Sequence, residues 1–315
     1  MNILFDNINV MSNSGPNSFG KKLSMAISVL GHSISLAPAQ GFMPDIQLSF
    51  IAASHKYAPI IQRLDGIYFN SAQDFNLLNK PIEATYKIAD AVIFQSEFNR
   101  TLTQKFFGEH ENAYVIHNGT DLNAIEKIQP IESPIIDQFE EVWSCASSWR
   151  PHKRLKDNVR YFLEHAPENA CLIIAGENPD HRVADTRVFY AGQLEWSELI
   201  SLYKRSSHFI HLAWLDHCPN VVVDARACGC HIVCSSSGGT SEIAGLNSTI
   251  IEEEEWNLSP IKLYSPPHMD FSKKLKNSID KNIDISFVSK KYLEVFEKTI
   301  DNFNDTNKLE RILIG

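Results

Sequence analysis

Residues 214–229 read Trp214-Leu-Asp-His-Cys-Pro-Asn-Val-Val-Val-Asp-Ala-Arg-Ala-Cys-Gly229. Two carboxylates, Asp216 and Asp224, flank a Pro-Asn pair. The mostly apolar run before them, Phe209–Ala213, reads as a buried strand. Pro219 suits the first position of a helix, and Gly229 suits its C-terminal stop. The stretch therefore predicts a strand, a loop holding Asp216 at the strand's carboxyl end, and a helix with Asp224 just past its first turn. A helix start has backbone N–H groups without intrahelical partners, and its dipole favours an anion. One loop-helix unit thus offers amides to a pyrophosphate and carboxylates to sugar hydroxyls.

On either side of this segment, apolar strands alternate with helical stretches. After residue 138 the expected strands are Glu141–Ala146, Leu172–Ala175, Val188–Ala191, Phe209–Ala213 and Ile232–Ser235. Helices are expected at Leu155–His165 and Ser197–Lys204, and a long amphipathic one at Ile285–Phe303. The first half repeats the theme. Strands are expected at Ile3–Phe5, Ser33–Ala37, Ile46–Ile51, Ile60–Leu64, Ala91–Gln95 and Tyr114–His117, and helices at Lys21–Leu30, Ile82–Ala89 and from Ser96. Gly15–Gly20 reads as a glycine-containing loop. Such alternation means α/β, with open and mostly parallel sheets. Two consecutive series mean two Rossmann-like domains: residues 1–125, a Pro-containing acidic linker over 126–138, then 139–284. Residues 285–315 form a C-terminal helix that can cross back to the first domain. In such sheets a ligand binds outside the carboxyl ends of the strands. Two domains facing across a cleft would put a donor on one wall and an acceptor on the other.

The chain has 315 residues, 43% apolar and 21% charged, a globular composition. No apolar run is long enough to span a bilayer, and Met1–Asn7 reads as a strand rather than a signal peptide. A net charge of −9 argues against nucleic acid as a partner. Six cysteines lie at 145, 171, 218, 228, 230 and 234 without a C-x-x-C pair, which suits reduced core thiols in a cytoplasmic protein. Peripheral attachment at the inner membrane face stays compatible with this. The acidic run Glu252–Glu255 reads as a solvated face. No G-x-G-x-x-G follows the first strand, which argues against a dehydrogenase.

The run D-H-C-P-N-V-V-V-D-A-R-A-C-G-C-H-I-V resembles a motif of the retaining nucleotide-sugar glycosyltransferases of family 4. These are the glycosyl transferases of group 1, with the B-type two-Rossmann fold. Their pattern is E-G-F-P-N-V-V-L-E-A-M-A-C-G-x-P-V-V. Here both Glu positions are Asp, and His217-Cys218 stands for Gly-Phe. The resemblance implies that Asp224 accepts ribose hydroxyls and Asp216 contacts the transferred sugar. It also implies that the backbone at Cys218, Pro219, Asn220 and Val221 meets the pyrophosphate.

Further segments extend the resemblance. Ser147-Ser-Trp-Arg-Pro-His-Lys-Arg-Leu155 is similar to the family's G-R-L-x-x-x-K-G, whose Arg and Lys bind the diphosphate. Arg150 and Lys153 match best, with Arg154 and Lys156 as substitutes. Fixed cations there would stabilise the charge that builds on a leaving diphosphate, without a metal. Gly238-Gly-Thr-Ser-Glu-Ile243 is similar to G-G-x-x-E-[IV], which brings Glu242 to the donor. Gly15, Pro16 and Asn17 resemble the glycine loop beneath the donor phosphates. Val115-Ile-His-Asn-Gly-Thr-Asp121 resembles the end of the family's first domain. Arg63 and Asp65 end a strand there; either they form a structural ion pair, or they face the cleft and orient acceptor or donor.

The resemblance implies metal-independent transfer of a sugar from a UDP- or GDP-sugar to a hydroxyl of a glycan, lipid or small molecule, with no other cofactor. Two rivals stay open: an inactive nucleotide-sugar-binding protein, and a two-Rossmann nucleotide-sugar isomerase.

Overall fold

The computed structural model describes residues 1–12, 14–179 and 182–314. The chain divides into two compact units. Unit 1 comprises Met1–Tyr68, Asp74–Gly119 and Asp284–Gly315; unit 2 comprises Phe69–Gln73 and Thr120–Ile283.

Unit 1 opens with β1 (Asn2–Asp6), α1 (Gly15–Val29), β2 (Ser33–Ser35), β3 (Ile46–Phe50) and β4 (Ile60–Leu64). It continues with α2 (Phe75–Ile88), β5 (Ala91–Phe94), α3 (Glu97–Phe107) and β6 (Ala113–Val115). The six strands run parallel in the order β2-β1-β3-β4-β5-β6. β3, β4 and β5 are buried on both faces; β5 reads as an unbroken apolar run, while β3 and β4 also bury Gln47, Ser49, Gln62 and Arg63. Two expectations change here. Gly15–Ser18 is the first turn of α1 rather than a loop, with Pro16 where its missing N–H costs nothing. α2 starts at Phe75, well before Ile82, because the Asp74 side chain accepts from the Leu77 N–H at 3.0 Å. Pro81 interrupts one hydrogen bond of that helix without ending it.

Unit 2 begins with α4 (Leu122–Lys127), β7 (Glu141–Ala146), a short 3-10 turn at Pro151–Lys153, α5 (Leu155–His165), β8 (Ala170–Ala175) and β9 (Val188–Gly192). Then come α6 (Trp196–Arg205), β10 (His208–His211), α7 (Asn220–Ala227), β11 (His231–Ser235), α8 (Thr240–Ile243), β12 (Ser248–Ile251) and β13 (Lys274–Leu275). Residues 126–138, read as a linker, are counted with this unit and bind α6. Lys204 Nζ donates to Ile128 O at 2.6 Å, and Ile131 N donates to Ser201 O at 3.0 Å.

The unit 2 sheet runs β13-β12-β11-β10-β7-β8-β9, all parallel except the edge strand β13. β7, β8 and β9 spread to one side, and β10, β11 and β12 to the other. The strand order therefore reverses between β7 and β10, the switch point at which open α/β sheets bind ligands. Apolar clusters cover both faces. One centres on Phe209, Val222, Val223 and Tyr203, the other on Trp143, Phe162 and Leu172.

The chain returns to unit 1 with α9 (Ile285–Ile314), which packs on α1. Tyr292 and Phe296 of α9 are fully buried in the unit 1 core with Phe5, Phe19 and Phe50. Among the described residues no helix is long and apolar enough to cross a membrane.

Candidate functional site

Two loops at the carboxyl ends of β7 and β10 meet at the switch point of unit 2. The loop after β7 turns through Pro151–Lys153. The loop after β10 carries Asp216. Lys153 Nζ lies 2.5 Å from Asp216 Oδ2, and His211 Nε2, from the last residue of β10, lies 2.8 Å from the same oxygen. The other carboxylate oxygen, Oδ1, accepts from the His217 N–H at 3.1 Å. The loop is pinned from behind, since Gly239 N donates to Asp216 O at 2.7 Å. Gly238 has φ +93°, and a Cβ there would sit 2.5 Å from Asp216 O. Only glycine fits both that dihedral and that approach.

This setting fixes protonation. Burial alone would raise the Asp216 carboxyl, but the Lys153 ammonium and the His211 hydrogen bond hold it well below the usual carboxylate range. Burial lowers His211 against the pull of Asp216. His217 is pushed down to about 4 by burial. His152, buried between Arg150 and Lys153 and stacked on Tyr264, is pushed to about 3 by burial and then by Lys153. His208, at the opposite end of β10, falls to about 4 through burial and His231.

These shifts fix the acid response. An unfolded chain protonates histidine near pH 6.5. The folded His152, His208 and His217 stay neutral down to about 3–4. Between those limits the unfolded chain binds more protons, so stability falls as pH falls. Each histidine adds a slope of up to about 1.4 kcal/mol per pH unit. Asp216 acts in the same direction lower down: its stabilisation is full above the ordinary carboxylate range and is lost as pH falls through its depressed value. Urea unfolding midpoints should therefore drop from about pH 6.5 downward, above the carboxylate range. Midpoints flat to about pH 5 would show that these imidazoles protonate freely in the fold.

The adjacent basic residues diverge. Arg150 is exposed at the start of the turn, and Lys156 is exposed on α5. Arg154, a substitute diphosphate ligand in the sequence reading, is buried. It forms a bidentate pair with Glu253 at 2.7 and 2.9 Å, and NH2 also reaches Pro267 O at 3.1 Å. It is a structural cation with its carboxylate already supplied. Glu253 corrects a second expectation, for Glu252–Glu255 is not wholly a solvated face. Glu253 turns inward to Arg154 and the Ser235 hydroxyl, while Glu252, Glu254 and Glu255 are exposed.

α7 starts at Asn220, with Pro219 as its N-cap rather than its first helical residue. Cys218 is buried beneath it; Asn220 and Val221 are partly exposed. Asp224 is buried, and its Oδ2 accepts from the Trp196 indole N–H at 3.1 Å. Glu242 lies half-buried on α8, which follows Gly239 as N-cap. Lys153, Asp216 and the Gly238-Gly239 turn are thus brought together. Asp224 sits deeper, between α7 and α6.

Unit 1 holds the remaining candidates. Gly15, Pro16 and Asn17 form the start of α1; Asn17 Oδ1 accepts from Asn9 N at 2.8 Å, which closes the preceding loop. Arg63 and Asp65 form the ion pair, and Arg63 is fully buried. Its guanidinium also donates to Tyr292 OH at 3.1 Å and Asn118 Oδ1 at 2.7 Å, and stacks over Phe19.

Sequence reasoning missed His211, His152 and Glu253. A histidine ending an apolar strand five residues before Asp216 was the available signal for the first. All six cysteines are free, and burial raises the thiols of Cys145, Cys171, Cys228, Cys230 and Cys234. Among the described residues no His, Cys, Asp and Glu group has a metal-holding arrangement.

Residues 144–258, from β7 through the region after β12, match the family model described as Glycosyl transferases group 1. No curated protein matches the sequence. Among solved structures, HepE of Anabaena, in complex with UDP and glucose, superposes with a TM-score of 0.65 at 15% identity, over 95% of this chain and 100% of that one. Sucrose-phosphate synthase of Thermosynechococcus elongatus gives 0.61 at 12% identity, over 99% of each chain. WaaG, a glycosyltransferase of lipopolysaccharide biosynthesis, gives 0.57 at 12%, over 96% and 99%. Residues 144–258 of unit 2 are therefore similar to glycosyl transferases group 1, and the chain shares the two-Rossmann fold of these solved structures.

Proposed function

We propose that the chain transfers a sugar from a nucleoside diphosphate donor, UDP- or GDP-linked, to a hydroxyl acceptor, with retention and without a metal. The Lys153–Asp216 contact across the β7/β10 switch point carries this reading. It sets a cation and a carboxylate where an α/β sheet binds its ligand, inside the segment that matches the family.

In this reading Arg150 and Lys153 meet the diphosphate together with the start of α7 at Cys218–Val221. Asp216 meets hydroxyls of the transferred sugar, with Glu242 nearby. Asp224 takes the ribose hydroxyls, its carboxylate oriented by the Trp196 indole. The bond from the anomeric carbon to the diphosphate breaks as a bond to the acceptor oxygen forms on the same face. The acceptor proton passes to the departing diphosphate. Lys153 and Arg150 offset the charge that builds there, the role a metal would otherwise fill. Free thiols and a nucleotide-sugar donor suit a cytoplasmic protein, with peripheral membrane attachment compatible.

The test is calorimetric titration with UDP and GDP without added metal, followed by release of the nucleotide from its sugar conjugate. UDP-glucose is the first donor to try, because HepE was crystallised with it. One nucleotide should bind and be released on turnover. Binding without release would leave a binding protein, and a sugar product still attached to nucleotide would mark an isomerase. Asp224→Ala should weaken nucleotide binding by about 1–3 kcal/mol, the usual effect of losing a charged hydrogen-bond partner. Unchanged affinity would remove Asp224 from the site.

A further inference from the structure

Asp216 Oδ2 is held twice, by two donors of different kinds. Lys153 reaches it on a flexible four-carbon stem whose side chain is 19% exposed. His211 reaches it from the end of β10, with its side chain 4% exposed. The imidazole lies nearly parallel to Phe209, and its backbone is registered beside Cys234 of β11. One donor can move; the other is built into the sheet.

If Lys153 takes the donor's diphosphate, it must loosen from Asp216. A carboxylate only 15% exposed cannot lose its compensating partners without a large cost. We propose that His211 is a positioning residue of the donor site, the fixed hydrogen-bond partner that keeps Asp216 satisfied and aimed when Lys153 leaves it for the diphosphate. The inference rests on the donor-site reading above.

The chemistry is consistent. A neutral imidazole donates from Nε2 only as the Nε2–H tautomer, which the Asp216 contact selects. The charged and titratable groups facing His211 are Asp216, Lys153 and His152. His152 stays neutral, so the exchange requires only that the ammonium move between two anions, the carboxylate and the diphosphate. Asp216 thereby sets how readily Lys153 is released, and His211 sets how strongly Asp216 needs it.

The proposal predicts coupling, read by calorimetric affinity for whichever of UDP and GDP the wild type binds. His211→Leu leaves Lys153 as the main donor to Oδ2, so the nucleotide should bind roughly tenfold more weakly. His211→Gln, which keeps an N–H at similar reach, should bind within about threefold of wild type. Asp216→Asn removes the competing anion, so binding should tighten by roughly tenfold. In a Lys153→Ala background His211→Leu should add little, because the group it restrains is gone. Folding of each variant is checked by thermal unfolding. Should His211→Leu fail to fold, Asp216→Asn decides: affinity unchanged or weakened overturns the proposal. A folded His211→Leu with wild-type affinity also overturns it, as do additive losses in the double variant. Wild-type affinity in Lys153→Ala overturns it while leaving the Asp224 part of the donor site standing. A wild type that binds neither nucleotide removes the donor-site reading and this inference together.

Discussion

Lys153→Ala is expected to lower turnover by about 100- to 1,000-fold while the protein stays folded, the scale set by losing one preorganised group opposite developing charge. Arg154→Ala, one residue on, is expected to cost about 3–5 kcal/mol of stability. The two side chains share a turn and a charge but not an environment. Lys153 is partly exposed at the switch point, and the carboxylate it touches stays bonded to His211 and the His217 N–H. Arg154 is enclosed, and its removal would strand Glu253 among buried groups with only the Ser235 hydroxyl. Turnover and urea unfolding measured on both variants check the pair. Normal turnover in Lys153→Ala would take Lys153 out of the mechanism. An unfolding free energy within about 1 kcal/mol of wild type in Arg154→Ala would show that Glu253 is rescued by water.

Arg63→Leu should destabilise unit 1 by a similar amount, about 3–5 kcal/mol. No part of Arg63 is exposed. Its guanidinium holds Asp65, Asn118 and the Tyr292 hydroxyl, so it ties β4 to α9. Burial already raises the Asp65 carboxyl against the pull of Arg63, and one of its oxygens has no hydrogen-bond partner. Without Arg63 that carboxyl would have to take up a proton or unfold its surroundings. Tyr292→Phe, which removes one hydroxyl from the same network, should cost only about 1 kcal/mol. Chemical denaturation of both variants provides the check. Equal losses would mean that the helix contact, not the buried charge, dominates.

The architecture was legible because the central strands of both sheets are buried on two faces. Such strands appear as short, mainly apolar runs, so β3, β4, β8 and β10 could be placed within a residue or two. Helix ends were less legible. The Asp74 cap and the tolerated Pro81 depend on how α2 meets its surroundings, and periodicity does not carry that. The Gly15 turn read as a loop because Gly, Pro and Asn favour turns and helix starts alike.

The sequence alone was enough to read the chain as α/β, and to place Asp216, Asp224 and the basic run from Arg150 in the segment, 144–258, that matches the family model. These follow from local pattern: hydrophobic period, turn residues and motif spacing. The surroundings each charge meets came from tertiary packing alone. In the sequence Arg150 and Lys153 match best, and Arg154 and Lys156 can stand in for either. Folding leaves Arg150 and Lys156 exposed, joins Lys153 to Asp216, and closes Arg154 onto Glu253, ninety-nine positions away. Likewise Arg63 meets Tyr292, a partner two hundred and twenty-nine positions distant. A charge takes its role from burial and from the partner it meets, and strand order brings those partners together across the sheet.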